Sequence, residues 1–142
     1  MANVFNRHTL EDGWRNAVVT VTGLLDTSDA NFDPVVELTD LLNNDTRAGT
    51  LRGLRVDRIQ YSMSAGTGLE VQLYWKHSVG NNQLITAIAG QGHDKYQKAG
   101  GLIPKMDALG YQGGIVLSTT GFSKNPGPTG FTVTLHLVKL YR

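Results

Sequence analysis

Hydrophobic and polar residues alternate along several stretches of the chain, and a period of two is the mark of half-buried β-strands. In residues 14–23, Ala17, Val19 and Val21 fall on one face, and Val18, Thr20 and Thr22 on the other. Leu69, Val71, Leu73 and Trp75 alternate with Glu70, Gln72, Tyr74 and Lys76, the cleanest such pattern in the chain. Between these two stretches, Leu54 and Val56 keep a phase that Ile59, Tyr61 and Met63 do not share. A continuous strand there needs a bulge near Asp57 and Arg58. Ala65, Gly66, Thr67 and Gly68 supply the positive-φ positions of a tight hairpin into Leu69. Residues 83–89 and 114–120 read as further strands, and residues 131–141 as a long last one with Phe131, Val133, Leu135 and Leu137 in phase. No helical periodicity is sustained anywhere. The pattern predicts an all-β fold, a β-sandwich or jelly roll of about six to eight antiparallel strands.

Two segments break the alternation and read as long irregular loops. Residues 26–50 begin with the turn-forming Asp26, Thr27, Ser28 and Asp29, hold a short strand at residues 35–38, and end in Asn43, Asn44 and Asp45. Residues 90–113 are rich in glycine and mix His93, Asp94, Lys95, Tyr96, Lys98, Pro104 and Tyr111. Connections of this length are uncommon in compact domains and are usually functional when ordered. With 17 glycines punctuating 142 residues, the chain reads as one domain, 1–142, in which residues 1–13 form an N-terminal arm.

Charge and composition narrow the chemistry. Thirteen basic residues against 12 acidic ones give a net charge of +1, which provides no whole-molecule field to gather nucleic acid or anionic lipid. The absence of cysteine removes disulfides, thiol nucleophiles and thiolate metal sites. Residues 1–10 lack the pattern of a signal peptide and no stretch is long and apolar enough to span a membrane, so synthesis and folding in cytosol are expected. Histidines 8, 77, 93 and 136 are scattered singly, and no Gly-x-Ser-x-Gly, phosphate-binding or dinucleotide-binding glycine motif occurs. No catalytic, cofactor-binding or metal-binding residue is assigned, and no small-molecule substrate is expected. Asp29, Asn31, Asp33, Glu37 and Asp40 match the spacing of a calcium loop, but Pro34 stands where that loop needs a glycine turn. They read instead as an acidic loop.

The small net charge hides an uneven distribution. Asp26, Asp29, Asp33, Glu37, Asp40 and Asp45 precede a basic stretch with Arg47, Arg52, Arg55 and Arg58. Such a juxtaposition suits contacts within the fold or between copies better than nucleic-acid binding, because no stacking aromatics interleave with the arginines. Arg52 and Arg55 of the basic stretch, with His93, Tyr96, Lys98 and Tyr111 of the second long loop, are therefore the candidate protein-contact residues.

Several phrases together carry a resemblance. They are Glu11-Asp12-Gly13, the run from Thr22-Gly23-Leu24-Leu25 to Asp26-Thr27-Ser28-Asp29, Ile59-Gln60-Tyr61-Ser62 leading to Leu73-Tyr74-Trp75, Gly100-Gly101-Leu102-Ile103-Pro104, Ile115-Val116-Leu117-Ser118-Thr119-Thr120-Gly121, and the closing Val138-Lys139. In this order they resemble small virion structural proteins of tailed bacteriophages over nearly the whole chain. The resemblance implies a non-enzymatic β-sandwich on the virus particle, a capsid decoration or cement protein bound in many copies to the major capsid protein and to neighbouring copies of itself. It implies residence on the capsid surface after synthesis in the host cytoplasm, and leaves head, neck and tail open. The alternative is a carbohydrate-binding or other ligand-binding sandwich, with Trp14, Tyr96 or Tyr111 stacking on sugar rings and Trp75 in phase with the core.

Overall fold

The computed structural model describes residues 3–13, 15–26, 28–41, 51–63, 69–78, 82–105, 110–121 and 129–141. Nine strands run through them in chain order: β1 (Val4–Asp12), β2 (Asn16–Leu25), β3 (Asp33–Val36), β4 (Leu51–Met63), β5 (Glu70–His77), β6 (Gln83–Ala89), β7 (Gln91–Lys95), β8 (Tyr111–Thr120) and β9 (Thr129–Tyr141). They form two antiparallel sheets, a larger one ordered β1-β2-β9-β4-β7 and a smaller one ordered β3-β8-β5-β6. The fold is a β-sandwich, as the alternation predicts.

The alternating apolar residues meet between the sheets. Val19 and Val21 of β2, Leu54, Val56 and Ile59 of β4 and Leu135 of β9 face Leu73 of β5 and Ile115 and Leu117 of β8, all nearly inaccessible to solvent. Full burial of each such side chain contributes about 1.5–3 kcal/mol, so this layer dominates the stability of the domain. The phase change in β4 is accommodated where it was expected. Pairing with β9 slips between Val56 and Arg58, and Asp57 is the extra residue. The bulge lets Leu54 and Val56 share the core with Ile59 and Met63.

Glycine has a defined role at one point of the larger sheet. Gly23 lies between Phe5 of β1 and Phe131 of β9 in register, and a Cβ built on it would lie 2.3 Å from the Phe131 ring. The missing side chain lets Phe131 lie across β2 and reach Phe5, with ring centroids 6.2 Å apart. The far end of the same sheet is fastened differently. Lys139 is buried, its Nζ donates to Asp12 and to the Gly13 carbonyl, and its backbone N–H donates to the Arg15 carbonyl at 2.6 Å.

The structure adds two strands to the sequence expectation. Residues 1–13, read as an arm, contain β1, a paired edge strand whose residues are mostly exposed on both faces, so it leaves no apolar period to detect. Residues 90–113, read as an irregular loop, contain β7, which is held by backbone pairing to β4 and has no buried residue. After β7 the chain turns through Gln97–Ala99 and docks by a two-way backbone pairing of Leu102 with Val56, and residues 111–113, read as the end of the loop, already belong to β8. Within residues 26–50 the strand is Asp33–Val36, followed by a 3-10 turn at Leu38–Asp40. Trp14, the hairpin at residues 65–68, and Asn43, Asn44, Asp45 and Arg47 lie outside the described residues.

Candidate functional site

The six candidate contact residues fall into two groups that do not converge. Arg55, His93, Tyr96 and Lys98 surround the β4 bulge. The Arg55 guanidinium forks onto the Asp57 carboxylate, with Nε at 2.8 Å from one oxygen and a terminal nitrogen at 3.2 Å from the other. That hydrogen bond, reinforced by the opposite charge, holds Arg55 even more firmly protonated than usual. The Tyr96 N–H donates to the Asp57 carbonyl at 2.7 Å. Its half-buried ring packs against the core. Burial, followed by the charge of Asp94, raises the Tyr96 phenol above its ordinary value. Tyr96 thus fastens the segment after β7 to the β4 bulge and the core.

His93 and Lys98 are exposed. The His93 Nε2 accepts a hydrogen bond from Arg58 Nε at 3.1 Å. Nearby His136 is held below its ordinary value, by burial first and then by the positive charge of Arg58. Arg52 and Tyr111 form the second group, lining with Leu38, Leu51 and Gln112 a shallow recess of about 270 Å³. The Tyr111 ring meets His77 edge-on at 5.6 Å, and burial pushes its phenol up to about 12. Neither the Tyr111 hydroxyl nor His77 Nε2 finds a hydrogen-bond partner among the described residues.

The acidic loop is distributed over separate partners. Asp29 accepts from the Thr119 hydroxyl at 3.0 Å, Glu37 pairs with Lys76 at 2.6 Å, and Asp40 accepts from the Glu37 N–H at 3.0 Å while facing Arg7 at 3.5 Å. Lys76 is also the main reason why the Glu37 carboxyl lies below its ordinary value. These carboxylates do not converge on one point, and among the described residues no group of three or more His, Asp or Glu is placed to hold a metal ion.

The two outer faces of the sandwich differ in chemistry. On the larger sheet, pairing aligns Asn6, Thr22, Thr132, Ser62 and Gln91 in one row and His8, Thr20, Thr134, Gln60 and His93 in the next. This face is polar, and Thr20 and Thr134 already hydrogen-bond across it at 3.0 Å. On the smaller sheet, Pro34, Val116, Tyr74 and Leu84 stand in one row, and Phe32 lies edge-on to Tyr74 at 5.1 Å. Leu84 is 57% exposed and Phe32 45%.

Phe32 is held in an unusual conformation. Its φ is +51°, a region that bulky residues rarely enter. The Phe32 N–H donates to the Ser118 hydroxyl at 2.9 Å and the Ala30 N–H to the Thr119 hydroxyl at 2.8 Å, which pin the turn over β8. The result is an aromatic ring presented to solvent beside Tyr74 and Leu84. Sequence reasoning missed this plateau because β3, β8 and β6 are far apart in the chain. The only local signal was an uncharged strand at residues 83–89. No protein-family model matches the chain, and no curated protein is detectably similar to it.

Proposed function

We propose that the chain is a non-enzymatic structural subunit of a bacteriophage virion, a capsid decoration protein bound in many copies to the head shell. The observation that carries this reading from the structure is the distribution of polar and apolar surface. Arg55, Glu37, Lys76, Asp40 and Lys139 are engaged in pairs within the chain, while Phe32, Tyr74 and Leu84 form an apolar plateau on one outer face. Such a plateau on a rigid sheet suits docking to another protein surface. The resemblance to small virion proteins supplies the particle as the setting, and the major capsid protein and neighbouring copies as the partners. Exposed Arg52, His93 and Lys98 remain available at the rim of such contacts, where charge sets direction and salt dependence. Arg55, Tyr96 and Tyr111 act chiefly within the fold.

Weak contacts suffice for this role, because a subunit held by several neighbours rebinds at high effective concentration. The test is mass spectrometry of purified virions together with imaging, which reads presence, copy number and location. Many copies on the head shell are expected, and a Phe32→Ser, Leu84→Ser variant that folds normally should lose occupancy. Absence of the protein from purified particles would overturn the proposal. Full occupancy of the variant would remove the plateau from the contact.

A further inference from the structure

We infer that the free edge of β6 pairs with β6 of a second copy, antiparallel about a two-fold axis at Ala87, joining the two smaller sheets into one continuous sheet. The inference deepens the multi-copy reading above by naming the surface through which copies meet.

Four strands end the two sheets: β1, β7, β3 and β6. An open edge offers unpaired N–H and C=O groups to any strand, and natural proteins usually guard it with charge, proline or shortness. Three of these edges are guarded. β1 carries Arg7, His8, Glu11 and Asp12, β7 carries His93, Asp94 and Lys95, and β3 is four residues long with Asp33 and Pro34. β6 has no such guard. Its sequence, Gln-Leu-Ile-Thr-Ala-Ile-Ala, contains no charge and no proline, and among the described residues no strand pairs with its far side.

The same feature argues for a second copy as the occupant. In an antiparallel two-fold pair the residue on the axis meets its own duplicate and the others pair reciprocally, so an edge without charge or proline matches itself at no electrostatic cost. The register follows from which face each residue occupies. Thr86 and Ile88 lie opposite the core residues Leu73 and Val71, whereas Leu84 and Ala87 lie opposite the outward Tyr74 and Gln72. The irregularity at Ile85 separates Leu84 from the regular run. Like faces match when Ala87 opposes Ala87 and Thr86 opposes Ile88. Small alanines at the axis then allow the backbones to approach.

Seven residues of strand extend about 23 Å, and burying an edge of that length covers roughly 450 Å² per copy, about half of a standard interface. Self-association in solution is therefore weak, and it strengthens where many copies share one surface.

Since the chain contains no cysteine, a single introduced thiol reports the geometry directly. Across an antiparallel pair the two Cα atoms at Ala87 would be about 4.5–5.5 Å apart, within disulfide range. The experiment compares disulfide formation by Ala87→Cys and by Gln91→Cys, an exposed position on the guarded edge β7, at equal concentration under mild oxidation. The expected result is dimer formation at least tenfold faster for Ala87→Cys, together with concentration-dependent sedimentation of the unmodified chain. Ala87→Lys, at an exposed position, should leave thermal stability unchanged and reduce that self-association about tenfold or more, because it sets two ammonium groups face to face. Equal crosslinking rates, or self-association indifferent to Ala87→Lys, would overturn the inference. Either result leaves the virion reading untouched, and a chain that crosslinks at Ala87 but is missing from particles would separate the two in the other direction.

Discussion

The buried pair of Lys139 and Asp12 offers the sharpest test of how the sandwich is fastened. The Lys139 side chain is fully inaccessible and that of Asp12 is 18% exposed. Replacing Asp12 with alanine takes the carboxylate away from a fully buried ammonium group that also donates to the Gly13 carbonyl. Breaking a buried pair in this way costs about 3–5 kcal/mol. For 142 residues the unfolding entropy near the midpoint is about 0.3 kcal/mol per degree, so Tm is expected to fall by about 10–17 °C. Lys139→Met keeps most of the buried stem and removes the charge, and the partly exposed Asp12 can then be hydrated. Its expected cost is about 0–2 kcal/mol. Calorimetry and urea denaturation at pH 7 measure both. If Asp12→Ala loses less than about 1 kcal/mol, or Lys139→Met loses as much as Asp12→Ala, the ammonium group does not depend on the carboxylate and the reasoning fails.

Leu73→Ala and Val133→Ala, both fully buried, are each expected to lower stability by about 2–4 kcal/mol in denaturant titrations, whereas Glu70→Ala and Thr134→Ala in the opposite phases should cost far less. The Tyr111 phenol, raised from about 10 when unfolded to about 12 when folded, contributes stability that is complete below pH 10 and lost as pH rises through 12. Tyr111→Phe should abolish that alkaline slope in pH-dependent melts without lowering Tm at pH 7, since its hydroxyl has no partner among the described residues. Calcium titration calorimetry is expected to show no micromolar site at Asp29, Asp33 and Asp40, and a site that vanishes in Asp33→Ala would contradict the distributed pairing seen there.

Strands with one buried face were legible in the sequence, and strands without one were not. β2, β5 and β9 alternate because every second residue enters the core, and the phase change in β4 marked its bulge before any coordinates. β1 and β7 are held by backbone pairing at sheet edges, where side chains face water and carry no period. The candidate contacts suffered from a related ambiguity. An arginine or tyrosine outside the strand pattern looks the same in sequence whether it meets a partner or braces its own chain. Arg55 and Tyr96 brace the bulge, and only the folded chain shows the Asp57 carboxylate and carbonyl waiting for them. The Phe32, Tyr74 and Leu84 plateau was hidden for the opposite reason, since its members come together through strand order alone.

The place of β9 governs how the fold can be reached. It is the last of the nine strands to be synthesised, yet it lies inside the larger sheet, paired along one side with β2 and along the other with β4. Until it arrives, β1 and β2 form one ribbon, β4 and β7 another, and the apolar faces of Val19, Val21 and Ile59 lack their central neighbour. Contacts of this sequence separation close slowly, because the loop entropy is lost before the pairing compensates for it. A chain interrupted before β9 keeps all four strands of the smaller sheet but leaves the larger one in two separate ribbons. The larger sheet can therefore close only once β9 is present to join the two ribbons.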